Sequence, residues 1–93
     1  MEGIHILIVE DDRLLGYELK NYLTKWGYHI DLIQDFSDVL NEYIQLEPDL
    51  VLMDINLPKF DGFYWCFKIR EYSKVPMIFI SSRTSDNDKI MAI

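Results

Sequence analysis

The 93-residue chain is short of several things at once: one cysteine, three prolines, four glycines, two histidines and nine lysines and arginines. Each shortage excludes something. The single cysteine, Cys66, cannot form an internal disulfide, so nothing points to a disulfide framework or an oxidising compartment. So few prolines and glycines exclude a collagenous or low-complexity chain. The basic residues stand against sixteen acidic ones, for a formal net charge of −7. That balance disfavours direct contact with nucleic acid or anionic membrane, which both call for a basic patch, and favours a site that collects cations. Long apolar runs are missing as well. The longest, Ile6-Leu7-Ile8-Val9, falls far short of the roughly 20 residues that a bilayer demands. Met1-Glu2-Gly3-Ile4-His5 has neither a basic region nor an apolar stretch and is no signal peptide. A cytoplasmic protein without a membrane segment is expected.

What remains is a globular composition, 49% hydrophobic and 27% charged. A chain of this length makes one small domain, 1–93, which buries only about 60–65% of the surface its unfolded form exposes. Two periodicities alternate along it. Ile4 to Val9 is almost continuously apolar and β-branched, as in a strand buried on both faces. From Arg13 to Trp26, apolar residues recur at Leu15, Leu19, Tyr22 and Trp26, the stripe of an amphipathic helix, and Gly27 stops it. Tyr28 to Ile33 alternates apolar and polar residues and reads as an edge strand. Phe36, Val39, Leu40, Tyr43 and Ile44 make a second helical stripe, broken at Glu47-Pro48-Asp49. Leu50 to Met53 is a third strand, the loop Asn56 to Gly62 comes next, and a third helix runs from about Phe63 to Tyr72. Pro76 to Ile80 is a fourth strand. A fourth helix is expected from near Asp86, with the chain ending in it at Ile93.

Strand–helix alternation with short loops implies right-handed crossovers, hence a parallel sheet with helices on both faces. The fourth strand reads as fully buried, yet no fifth follows to cover its outer edge. The chain is therefore expected to be cut short, or completed by another chain.

In open α/β sheets, ligands bind beyond the carboxyl ends of the strands. Glu10-Asp11-Asp12 follow the first strand, Asp54 the third, and Ser81-Ser82 the fourth. Three segments thus deliver acids and hydroxyls to one rim. Two like charges about 4 Å apart repel by roughly 4 kcal/mol at an effective dielectric near 20, so a proton or a cation must neutralise the group. Oxygen donors without His or Cys select a hard ion such as Mg²⁺. Beside such an ion, Asp54 can act as a nucleophile toward phosphorus. Each part also has an ordinary reading: Asp12 as a helix cap, Ser81 and Ser82 as turn residues, and the acids as surface loop. Their joint occurrence at three strand ends favours the functional one.

Taken together, Ile8-Val9-Glu10-Asp11-Asp12, Leu52-Met53-Asp54-Ile55-Asn56-Leu57-Pro58, Asp61-Gly62 and Ile80-Ser81-Ser82-Arg83 resemble the receiver domain of response regulators, and the interval from Asp11 to Asp54 is typical of that family. The resemblance covers essentially the whole chain. It implies a flavodoxin-like three-layer αβα sandwich with sheet order 2-1-3-4, the family's fifth strand and fifth helix being missing here. It implies Asp54 as phosphoacceptor, Mg²⁺ held by Glu10, Asp11, Asp54 and the backbone carbonyl of Asn56, and Ser81 as the switch hydroxyl. Ser82 would leave room for the phosphoryl group, and Pro58 and Gly62 would shape the loop above the site. The implied partner is a sensor histidine kinase. The chain would be no enzyme beyond its own phosphorylation and dephosphorylation. DNA would be bound only through a C-terminal domain that this chain lacks.

Asp61-Gly62-Phe63-Tyr64-Trp65-Cys66 is similar to one subgroup, winged-helix transcription regulators of Gram-positive bacteria linked to kinases that sense antimicrobial peptides. A homodimer would use a surface of which only part is present. The family's lysine after the fifth strand is also absent. Two other functions compete: a receiver-like interaction module that is never phosphorylated, and an aspartate-nucleophile phosphatase resembling the haloacid dehalogenases. The latter carry a second acid two residues after the nucleophile, where this chain has Asn56.

Three further positions have plain readings. Cys66 is expected in the core or partly buried, with no neighbour in sequence to make it reactive. His5 and His29 lie on strands without ligand spacing, so no metal role is assigned to them. Of Tyr64 and Trp65, one is expected at the surface.

Overall fold

The computed structural model describes residues 3–80 and 90–92. In chain order the elements are β1 (His5–Val9), α1 (Arg13–Lys25), β2 (His29–Leu32), α2 (Val39–Leu46), β3 (Leu50–Asp54), α3 (Gly62–Arg70), β4 (Met77–Ile80) and β5 (Ile90–Ala92). The sheet order is β2-β1-β3-β4-β5. The first four strands run parallel, β1 between β2 and β3, with Ile6 opposite both Ile30 and Leu50. The expected order 2-1-3-4 is therefore present, and β2 is the edge strand that its alternating polarity indicates.

Strand alternation splits the core in two. Leu7 and Val9, with Val51, Met53, Met77 and Phe79, face α2 and α3 and pack with Val39, Tyr43, Trp65 and Ile69. Ile6 and Ile8, with Ile30, face α1 and pack with Leu19 and Leu23. On that second face, beside Leu23 of α1, an apolar hollow of about 480 Å³ lies over Ile6, Leu50, Leu52 and Ile78.

All three helices among the described residues are capped by aspartate. Asp12, Asp38 and Asp61 accept hydrogen bonds from the N–H groups of Leu15, Asn41 and Tyr64 at 3.2, 3.2 and 2.8 Å, satisfying donors that the first turn leaves open. At the other end of α1, Gly27 takes φ +93°. Its N–H reaches Thr24 O and that of Tyr28 reaches Leu23 O, the paired bonds of a left-handed helix stop.

Two expectations need correction. The inward stripe of α1 is not Leu15-Leu19-Tyr22-Trp26. Tyr22 and Trp26 are 59% and 69% exposed and meet each other edge to face, while Leu19 and Leu23 pack on the sheet. Gly16 is the buried residue of the helix and faces Leu32. The 16-19-23 line is the one that meets the sheet, and Tyr22 and Trp26 lie on the outward side.

The second correction concerns the chain after β4. Residues 86–89, expected to open a fourth helix, lie outside the described ones, and Ile90–Ala92 is a strand antiparallel to β4, with Ile80 opposite Ile90. Met77–Ile80 would otherwise present a row of unpaired backbone groups on an apolar edge. A short extended apolar segment satisfies them, and that requirement outweighs helical preference over three residues. The edge of β4 is thus occupied, by an antiparallel strand in place of the parallel one expected to be missing.

On α3, Trp65 is 3% exposed and Tyr64 38%, so Tyr64 is the residue at the surface, stacked on Phe60 with ring centroids 4.4 Å apart. Cys66 is half-buried against the core. Among the described residues, no helix is long and apolar enough to cross a membrane.

Candidate functional site

The carboxyl ends of β1 and β3 bring the acids together. Glu10 leaves β1 directly and Asp54 is the last residue of β3. Both are buried, Glu10 at 6% and Asp54 at 0% exposure, the two buried charged residues among the described ones. One carboxylate oxygen from each of Glu10, Asp11 and Asp54 lies within 4.8 Å of the others. These three side chains, from two strand ends, are the acids that the sequence pattern selects.

Local geometry fixes the carboxylates. The Asp12 N–H donates to Glu10 Oε2 at 3.1 Å, so the residue that caps α1 also anchors the buried glutamate. The Asn56 N–H donates to Asp54 Oδ1 at 3.1 Å. Ile55 N–H donates to Ile80 O at 3.0 Å, carrying the β3–β4 ladder one residue past Asp54. Gly62 then brings the start of α3 down onto the strand end. Its N–H donates to Ile55 O at 2.9 Å, and a Cβ there would run into the Asp54 carbonyl oxygen and stand 2.9 Å from Met53 Cγ. The 55–61 loop is thereby folded back over the rim. An open cleft of about 420 Å³ lies between Asp11 and that loop, bordered by Asn56, Leu57, Pro58 and Asp61.

The electrostatics are those of carboxylates gathered at a buried strand end. Burial pushes the Glu10 carboxyl up to about 8, with the neighbouring Asp54 and Asp11 carboxylates adding to the rise and the Asp12 N–H opposing it. Glu10 Oε1 is buried without a hydrogen-bond partner among the described residues. A buried acceptor left without a donor costs about 1–3 kcal/mol, more when charged. Either a proton or a cation answers that deficit. The donors are all oxygen, no His or Cys stands among them, and so the set fits a hard divalent ion better than a transition metal.

Asn56 borders the cleft and contacts Asp54 through its backbone. Pro58 lines the cleft and Gly62 sets the loop, as expected. Ser81 and Ser82 lie outside the described residues; Ile80, which precedes them, is paired with Asp54. The Asp12 contribution to the Glu10 carboxylate is new at this level, although an acid two residues before a helix-capping aspartate is a local signal for it. A second group escapes sequence reasoning altogether. His5, His29 and Asp31 converge at the far end of β1 and β2, although neither histidine shows ligand spacing along the chain. The register that sets His5 opposite His29 is cross-strand information.

Comparison with known proteins agrees with this geometry. The profile of the response regulator receiver domain matches residues 6–93. Response regulator protein GraR of Staphylococcus haemolyticus is 47% identical over 90 residues, covering 97% of this chain and 40% of GraR. The chain thus spans about two fifths of that relative's length. Among solved structures, the N-terminal domain of the nisin resistance regulator NsrR, a lantibiotic response regulator, superposes with a TM-score of 0.82 at 45% identity, covering 94% of this chain and 74% of that one. Response regulator TrrA of Thermotoga maritima, solved in complex with histidine kinase ThkA, gives 0.78 at 26% identity over 96% of this chain and 76% of that one. A strand order of 2-1-3-4, an acid cluster at its carboxyl rim and a profile match over nearly the whole length lead to one assignment: the chain belongs to the response regulator receiver domain family.

Proposed function

We propose that this chain accepts a phosphoryl group on Asp54 from the phosphohistidine of a sensor kinase, in a Mg²⁺-dependent reaction. The observation that carries the reading is the convergence of Glu10 and Asp11 on a buried aspartate at the end of β3, with carboxylate oxygens within 4.8 Å. Glu10, Asp11, Asp54 and the backbone carbonyl of Asn56 would hold the ion. Bound Mg²⁺ supplies the charge neutralisation that lets a phosphoryl group approach a carboxylate.

The remaining chemistry belongs to the chain. The Asn56 N–H fixes Asp54 Oδ1, orienting the carboxylate for in-line attack on phosphorus. The new O–P bond forms as the P–N bond of phosphohistidine breaks, and the imidazole leaves with that electron pair. The cleft beside Asp11 and Asn56 is the approach for the donor, since Asp54 itself has no exposed surface. Ser81, by its resemblance to the family's switch residue, would then bind a phosphoryl oxygen and couple the site to the end of β4. The output is a DNA-binding unit elsewhere in the full-length protein, as in winged-helix regulators, while this acidic domain itself contacts no nucleic acid. A cytoplasmic location follows, because the kinase draws its phosphoryl group from ATP. The likeness to NsrR, a lantibiotic response regulator, supports a signal among antimicrobial peptides.

The test uses acetyl phosphate and Mg²⁺ with intact-mass detection. One phosphoryl mass is expected on the wild-type chain, none without Mg²⁺ and none on Asp54→Ala. Labelling of Asp54→Ala at the wild-type level would overturn the assignment.

A further inference from the structure

The end of the sheet remote from the acid rim carries a second set of ligating side chains that phosphoryl transfer does not use. His5 opens β1 and His29 opens β2, directly opposite each other in the parallel register. Asp31 lies two residues along β2 and so projects on the same sheet face as His29. Its Oδ2 is 2.6 Å from His5 Nε2 and 3.6 Å from His29 Nε2. The two imidazoles meet edge to face with centroids 4.8 Å apart, and one ligand atom from each of the three residues lies within 4.8 Å of the others.

The donor set distinguishes this group from the acid rim. Two imidazole nitrogens and one carboxylate oxygen suit a borderline first-row ion such as Zn²⁺, whereas three carboxylates suit Mg²⁺. Tetrahedral zinc with bonds of about 2.0–2.2 Å sets its ligand atoms about 3.3 Å apart. The His29–Asp31 spacing is already near that value. The His5–Asp31 spacing is that of a hydrogen bond, and replacing its proton with a metal opens it by less than about 1 Å.

The adjustment falls to His29 and to Asp31, whose side chains are the more exposed. The His29 side chain is 69% exposed and has room to turn, while that of His5, at 17%, is held in place. The His5 N–H donates to Asp49 Oδ2 at 2.9 Å and its carbonyl accepts from Asp49 N–H at 2.7 Å. A pre-positioned ligand paired with a mobile one lowers the ordering cost of binding. Three protein ligands leave the fourth position to water.

We infer that His5, His29 and Asp31 form a binding site for Zn²⁺ or a chemically similar divalent transition-metal ion, which staples the edge strand β2 to β1. The site stands apart from Asp54, and its existence does not depend on the phosphorylation reading.

Calorimetric titration of the chain with Zn²⁺ tests it, run in excess Mg²⁺ so that the carboxylate rim is already supplied. One Zn²⁺ per chain is expected. His29→Gln removes a ligand from an exposed strand position without touching the core. It should weaken binding by at least about tenfold, the loss that removing even an outer partner of a metal site typically brings. Glu10→Gln should leave Zn²⁺ affinity within about twofold, since the expected site contains no Glu10 atom. Co²⁺ in place of Zn²⁺ should give the visible bands of a nitrogen-ligated ion in wild type, absent in His29→Gln. Equal Zn²⁺ affinity in wild type and His29→Gln overturns the proposal. So does binding lost in Glu10→Gln and kept in His29→Gln, or the lack of any stoichiometric binding.

Discussion

Glu10 is where the conflict between folding and function is sharpest. Its carboxyl is pushed up to about 8 by burial, with the Asp54 and Asp11 charges adding to the effect. In the unfolded chain it titrates near the ordinary glutamate value of 4.5. The folded state therefore holds a proton that the unfolded state gives up between those values. The stabilisation is whole below 4.5 and is lost as pH rises through about 8. Without a divalent ion, the urea midpoint of the wild-type chain should fall across this window more steeply than that of Glu10→Gln. Mg²⁺ selects the ionised carboxylates, so its stabilising effect should grow over the same range. Parallel pH slopes for the two proteins would remove Glu10 from the account. The residue types at this site are legible in the sequence because each acid stands just past an apolar strand. The proton on Glu10 is not, since it depends on burial and on which carboxylates end up as neighbours.

At the scale of the element, the start of α3 is the most constrained junction. Gly62 has no room for a side chain against the Asp54 carbonyl, so Gly62→Ala should destabilise by about 1–3 kcal/mol, the usual cost of overpacking. It should also slow Asp54 labelling, because the strand end itself has to move. Asp61→Ala removes the cap that bonds the Tyr64 N–H and should cost about 1 kcal/mol in denaturant unfolding. Phosphorylation should survive at an unchanged extent in the folded fraction. Helix α1 offers the opposite contrast. Trp26 is exposed despite its position on the apparent apolar stripe, so Trp26→Ala should shift stability by no more than about 0.5 kcal/mol. Leu23→Ala, which empties part of the inner face, should cost about 2 kcal/mol. A larger loss for Trp26→Ala than for Leu23→Ala would reverse the assigned face of the helix.

For the whole molecule, the governing property is charge. A net −7 on a small domain surrounds the acid rim with a field that concentrates divalent cations. Raising ionic strength from about 0.05 to 0.5 M shortens the screening length from about 14 to 4 Å and should weaken Mg²⁺ binding severalfold. Calorimetric Mg²⁺ titrations at the two salt levels read this directly. An affinity independent of salt would mean that only the three nearest carboxylates matter. The same field acts on the imidazole cluster at the other end of the sheet, where Zn²⁺ affinity should fall in the same direction.

The sequence by itself determined the alternation of strands and helices, the parallel sheet that short crossovers require, the Asp12 cap, and the acids at the strand ends. All of these depend on local pattern: periodicity, turn chemistry, and the residue types placed just after an apolar run. Tertiary structure decided what local pattern cannot hold. It laid α1 on the sheet through Leu19 and Leu23, exposing two aromatic residues, because the packed face is chosen by the partner surface as well as by the helix's own stripe. It made residues 90–92 a strand, because an open sheet edge demands backbone partners. It set His29 beside His5, because parallel register is a relation between two strands that neither contains alone.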